Sequence, residues 1–195
     1  MNAIAAAALR KNFLFISHLG ARVAAGASAF RGHKALLVNE THAVKLQPAF
    51  SVSAGLAFAI EISDLISVAP ELQYSWYRAN GELIKENIGE FNDLYEAGAS
   101  LHAIEIPILA RFNFGCLYAE AGPQIGANIY TKIYKNSDLK KPELNVFTFG
   151  PTLGGGVKLG DILLGIRGHF GILEYAKETG GSQWNLQVGA TKFFF

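Results

Sequence analysis

An all-β fold, an eight-stranded antiparallel up-and-down transmembrane β-barrel with long outer loops and short periplasmic turns, is what this 195-residue sequence predicts. The first observation is an unbroken alternation over residues 50–62. Phe50, Val52, Ala54, Leu56, Phe58, Ile60 and Ile62 take the even positions, and Ser51, Ser53, Gly55, Ala57, Ala59 and Glu61 the odd ones. Alternation puts the two sets on opposite faces of one strand. A soluble barrel would hold its bulk inside and turn Lys and Glu outward. Here the small, nearly uncharged face suits a crowded lumen and the bulky face suits lipid. The second observation is length: about 12 rises of ~3.3 Å, tilted by ~40°, project to roughly 30 Å and cover the ~25 Å apolar band of an outer-membrane barrel. The third is composition. The chain is 50% apolar and 17% charged, yet no run reaches the ~18 to 20 apolar residues of a membrane helix, so the apolar character is spread over strands.

The pattern recurs along the chain. The first strand, 19–31, sets Ala21, Val23, Ala25 and Ala27 against Arg22, Ala24, Gly26 and Ser28, and 50–62 is the second. The third, 66–77, opposes Ile66, Val68, Leu72, Tyr74 and Trp76 to Ser67, Glu71, Gln73 and Ser75. The fourth, 102–114, opposes Ile104, Ile106, Ile108, Phe112 and Phe114 to Glu105, Arg111 and Asn113, and the fifth, 117–129, opposes Leu117, Ala119, Ala121, Ile125 and Ile129 to Tyr118, Glu120, Gln124 and Asn128. In the sixth, 146–160, Phe147, Phe149, Leu153, Val157 and Leu159 face away from Thr148, Thr152 and Lys158. The last two, 162–175 and 183–195, pair Leu164, Ile166 and Phe170 with Arg167 and His169, then Trp184, Leu186 and Val188 with Asn185 and Gln187.

Connections alternate as such a barrel requires. Tight turns fall at Ser63-Asp64-Leu65, Phe114-Gly115-Cys116 and Gly160-Asp161, and long loops at 32–48, 78–101, 131–145 and 175–183, where Asn80-Gly81 and Gly180-Gly181-Ser182 signal turns. Pro70, Pro107, Pro123 and Pro151 fall within strands of a barrel that has no edge to hide them, so bulges or widened pairs are expected beside each.

The segments Leu19-Gly20-Ala21-Arg22-Val23-Ala24-Ala25-Gly26, Ile104-Glu105-Ile106-Pro107-Ile108 and Glu120-Ala121-Gly122-Pro123-Gln124-Ile125-Gly126 resemble the G-x-K-x-G, E-I-P-hydrophobic and E-A-G-P-x-x-G signatures of the PorT-like outer-membrane β-barrel domain family. The resemblance runs from about residue 18 to the end. It implies an eight-stranded barrel in the outer membrane of a Gram-negative bacterium, without a defined activity and with one branch linked to protein secretion; it supplies no catalytic residues.

Residues 18–195 are therefore expected to form the barrel and 1–17 to lie outside it as a degenerate or replaced leader, because the apolar Ala3 to Leu9 stretch is short, has no preceding cation and runs into Arg10-Lys11. The terminal Phe193, Phe194 and Phe195 resemble the signal that the barrel-assembly machinery reads. Lys192 falls on the outward face there, so a slip or bulge is expected at that rim.

The charges assigned to the lumen are Arg22, Glu61, Glu71, Glu105, Arg111, Glu120, Lys158 and Arg167, with His169 beside them. Most fall in the periplasmic half. Buried charges must be paired, and eight strands leave an interior filled by side chains, so a salt-bridged plug is expected over a conducting path. A net charge of +1 points to no nucleic-acid partner, and the single Cys116 excludes a multi-Cys zinc site. No catalytic, cofactor-binding or metal-binding residues are assigned. The expected function is a non-enzymatic structural or interaction role in the outer membrane. The barrel would anchor the chain in the lipid bilayer, and its outer loops would meet an extracellular or envelope protein. The alternatives are a small porin-like transporter or channel, a secretion-linked barrel, and a membrane-embedded lipid hydrolase, which would need a Ser-His-carboxylate set near the outer rim.

Overall fold

The structure, a computed structural model, describes residues 18–31, 37–39, 42–85, 96–134, 145–173 and 182–194. Ten strands run in chain order: β1 (His18–Arg31), β2 (Leu37–Asn39), β3 (His42–Gln47), β4 (Ala49–Glu61), β5 (Ile66–Lys85), β6 (Glu96–Phe114), β7 (Leu117–Tyr134), β8 (Phe147–Leu159), β9 (Ile162–Phe170) and β10 (Ser182–Phe193). Eight of them, β1 and β4 to β10, form one antiparallel ring in which β1 joins β10 and β5 joins β6. The ring has no open edge, so every strand finds ladder partners on both sides.

Alternation sorts the two faces as the sequence predicts. Phe50, Leu56, Ile104, Ile106, Ile108, Leu153, Ile166 and Val188 stay exposed on the outside, although each is large and apolar. Ser51, Ser53, Ser75, Glu71, Thr152, Arg167 and Thr191 are buried. This is the inverse of a water-soluble protein and follows from lipid being the outer solvent.

The outer ends depart from expectation. β5, β6 and β7 continue well beyond Tyr77, His102 and Tyr130, and Asn80 and Gly81 pair with Gly98 and Ala97 in the ladder instead of turning. The Asn-Gly turn preference is local. It yields here because continued pairing of β5 with β6, as far as Glu82 opposite Glu96, satisfies the backbone groups that a turn at Asn80-Gly81 would leave unpaired. Part of the first loop is also a hairpin: β2 pairs with β3, and β3 adds to the outer half of β5. Of the apolar residues in the second loop, Ile88, Phe91, Leu94 and Tyr95 lie outside the described residues.

The prolines cause no register shift. Pairing lapses for two rungs between Ala57 and Ile60, between Pro70 and Gln73 and between Pro107 and Ala110, then resumes in the same register. Pro123 and Pro151 stand opposite each other in an unbroken ladder. Widened pairs, one of the two outcomes expected, thus stand beside Pro70, Pro107 and Pro123, and the one register shift of the ring among the described residues lies opposite His102 and Ala103. Nor does β10 slip at Lys192, which pairs in register with Ala21 and Ile162 and extends to Asp161 at 3.4 Å. A terminal lysine near the short turns finds a carboxylate and water, so no slip is needed to move it out of lipid.

Candidate functional site

The lumen is crossed by side chains from opposite walls. Arg167 on β9 donates to Glu71 on β5, the strand half-way around the ring, with Nη1 to Oε2 at 2.7 Å and Nη2 to Oε1 at 3.0 Å. The same guanidinium donates to Glu120 Oε1 from Nε at 2.9 Å and from Nη2 at 2.6 Å. Arg111 takes the other oxygen of Glu120 through Nε at 3.1 Å and Nη2 at 2.9 Å, and its guanidinium lies 5.3 Å from the Tyr118 ring centroid. Arg22 is held less well: it donates to Thr191 Oγ1 at 3.3 Å and reaches Glu71 only at 3.8 Å, and its Nε has no hydrogen-bond partner. Gln73 donates to Glu71 from the next inward position of β5. All five charged groups are at most 5% exposed.

Register explains how these groups meet. Arg111 stands directly opposite Glu120, which stands opposite Gly154, which stands opposite Arg167. Glu120 and Arg167 are thus two strands apart. Only the absence of a side chain on β8 lets them touch over its backbone: a Cβ on Gly154 would lie 3.1 Å from Glu120 Oε1 and 3.0 Å from the Ile166 carbonyl oxygen. The same economy recurs one inward row toward the periplasm, where Gly156, Gly165 and Gly189 are neighbours across three strands and the Tyr118 hydroxyl packs against Gly165.

Toward the outer opening the lumen is filled by neutral contacts around one carboxylate. Glu105 accepts from Ser75 Oγ at 2.5 Å and from Tyr77 OH at 2.8 Å, and Asn185 Nδ2 donates to that hydroxyl at 3.0 Å from β10. Thr152 bridges Gln124 at 3.1 Å and His169 at 3.0 Å, and Gln187 joins Ser53 at 3.1 Å.

Of the charges assigned to the lumen, Arg22, Glu71, Arg111, Glu120 and Arg167 come together, and Glu105 and His169 are buried further out. Glu61 and Lys158 do not join them. Both occupy inward positions on the last rungs before the turns, where the ring opens to water, so they are exposed; Glu61 meets His18 at 3.2 Å. Phe193 pairs with Gly20, whereas Phe195 lies outside the described residues. Gln73, Asn185 and Gln187 were placed on the inward face from the sequence without a role, and Tyr77 and Thr191 were not singled out. Their signal is their place on the same inward face as the charges.

A second polar group sits on the outer wall. His102 Nδ1 contacts Tyr74 OH at 2.5 Å and its Nε2 lies 3.2 Å from Ser100 Oγ. The serine is buried, and its oxygen already accepts from Trp76 Nε1 at 2.6 Å. Covered by the Trp76 indole, this contact braces the aromatic side chains, and among the described residues no carboxylate joins it. Among the described residues no group of His, Cys, Asp and Glu could hold a metal.

Comparison with known proteins points the same way as the geometry. The family model described as outer membrane protein beta-barrel domain matches residues 16–175. No curated protein matches the chain. Among solved structures, Neisserial surface protein A superimposes with a TM-score of 0.55 at 11% identity, over 90% of this chain and 97% of that one. The outer membrane protein OprG of Pseudomonas aeruginosa gives 0.51 at 10% identity, over 90% and 95%. At such identities the likeness is one of fold.

Proposed function

The chain belongs to the outer membrane protein beta-barrel domain family, and from that premise we propose a non-enzymatic anchor whose lumen is sealed by ion pairs and whose outer strands meet a partner protein. It is an integral barrel of the bacterial outer membrane. The observation that carries the proposal is Arg167, which reaches across the full lumen to Glu71 while holding Glu120. A conducting pore needs a continuous water path with charges that ions can reach and leave. Four closely paired charges with Arg22 beside them, all buried across one section, leave an ion neither.

The interaction role rests on the outer strands. A 20-residue strand such as β5, at ~3.3 Å per residue and ~40° tilt, spans nearly 50 Å, so roughly 20 Å rises above the ~25 Å apolar band. β3, β5, β6 and β7 continue there as one sheet. Such a platform suits protein contact. The Glu-Ile-Pro and Glu-Ala-Gly-Pro segments favour the PorT-like branch, and with it a secretion-linked second reading in which the same platform meets other envelope components. The aromatic terminus is the part offered to the assembly machinery. Liposome swelling with small sugars and amino acids tests the seal: vesicles carrying the refolded protein should swell no faster than empty ones, and uptake scaling with protein content would refute it.

A further inference from the structure

The lipid-facing wall is not uniformly bulky. On β1, β4 and β10 the outward positions Val23, Ala25, Ala54 and Ala190 stand side by side in register, so the surface recedes to the backbone. Tyr74, Trp76 and His102 rise along one side and Leu164 and Val188 along the other, enclosing a groove of about 960 Å³. That lies within the ~300–1,000 Å³ typical of small-molecule sites. The aromatic side is held in place. Trp76 is tied to Ser100 and His102 to Tyr74, and the indole and imidazole rings stack at 6.4 Å with 16° between their planes. His102 also borders the register shift at which Ile129 of β7 is the extra residue, between Asn128 opposite Ala103 and Tyr130 opposite His102.

One outward position above Trp76 stands Arg78. It is exposed, its guanidinium lies 5.9 Å from the Trp76 ring centroid, and among the described residues no carboxylate pairs with it. An apolar groove in the acyl region, topped by an exposed cation at the outer rim, has the shape and charge of one ligand class. We propose that this groove is a binding site for a phospholipid of net negative charge in the outer leaflet, one acyl chain lying on Val23, Ala25 and Ala54 against Trp76 and the headgroup phosphate on Arg78. A guanidinium complements phosphate oxygens in charge and in hydrogen-bond geometry. The site lies on the outer wall and does not depend on whether the lumen is sealed.

Trp76 and Trp184 are the two tryptophans of the chain, so Trp184→Phe leaves a reporter inside the groove. The full chain is refolded into phosphatidylcholine vesicles. Phosphatidylglycerol or phosphatidylcholine with brominated chains is then added in steps, and quenching of Trp76 is read. The anionic lipid should bind roughly fivefold more tightly, the preference that one arginine confers at an anionic surface. Arg78→Gln, at an exposed position that leaves the barrel intact, should bring the two lipids to parity. Ala25→Phe with Ala54→Phe should also abolish the preference by filling the groove. Equal quenching by both lipids in the parent, or a preference that survives either change, would overturn the proposal. So would loss of the preference to millimolar inorganic phosphate, which would make the site one for free anions.

Discussion

Replacing Arg167 by Met should be the most damaging single change in the lumen. The substitution keeps most of the volume and removes all four of the hydrogen bonds that tie Glu71 and Glu120 to β9. Glu120 keeps its two bonds from Arg111, but Glu71 is left with Gln73 and with arginines at 3.8 and 3.9 Å, beyond hydrogen-bond reach. A wholly buried carboxylate without a bonded cation is the costly outcome of breaking a buried pair, so about 3 to 5 kcal/mol should be lost. Arg22→Met removes one 3.3 Å bond and a buried nitrogen that has no partner, and should cost about 1 kcal/mol or less. Arg111→Met should fall between them. Its bonds go to Glu120, which Arg167 still holds. Urea titration in detergent micelles, read by the mobility difference between folded and unfolded barrel on gels run without heating, gives the three values. The reasoning fails if Arg167→Met costs under 1 kcal/mol or no more than Arg22→Met. Removing the stranded carboxylate with Glu71→Gln in the Arg167→Met background should recover part of the loss, and an absence of coupling in that cycle would also count against it.

Three further outcomes are expected. Leu56→Arg places a cation on the lipid face near mid-strand, opposite Ala21 and Leu72, and should cost roughly 2 to 4 kcal/mol in the same titration; a neutral result would mean that the face is wet. Gly154→Val should destabilise by about 1 to 3 kcal/mol, because its Cβ would press on Glu120 and the Ile166 carbonyl, whereas Gly115→Asn in the turn, with φ of 68° and open space around it, should be nearly silent. Cys116, the lone and exposed thiol in the turn between β6 and β7, should react with an impermeant maleimide only when the periplasm is opened; labelling of intact cells would invert the orientation.

Much of the fold was legible because a barrel in lipid imposes one rule on every strand. Period-two alternation, with the bulky row outside, located β4 to within a residue and the tight turns of the short side directly. What the pattern could not reveal is non-local. Asn80-Gly81 reads as a turn, and only the partner strand reaching Gly98 and Ala97 keeps it extended. The prolines read as bulges or widened pairs, and the choice between them is non-local: register is a property of the whole ladder, and two lost rungs do not move it. In the lumen, the inward face of each strand was readable and the meeting of faces was not. Glu120 and Arg167 become partners because Gly154 lies between them, and Lys158 and Glu61 fall away because the last rung opens to water. Of the run of glycines on β8, Gly154 leaves the room that Glu120 occupies, and Gly165 on β9 does the same for the Tyr118 hydroxyl.

The seal itself is tested most directly by single-channel recording of the refolded parent protein in planar bilayers. A lumen closed by Arg167, Glu71, Glu120 and Arg111 should give a flat baseline under sustained voltage, with steps appearing only after changes such as Arg167→Met that also lower stability. Steady open-pore currents in the parent, altered in ion selectivity by Arg167→Met with little loss of stability, would show the cluster to be a filter and would contradict the account.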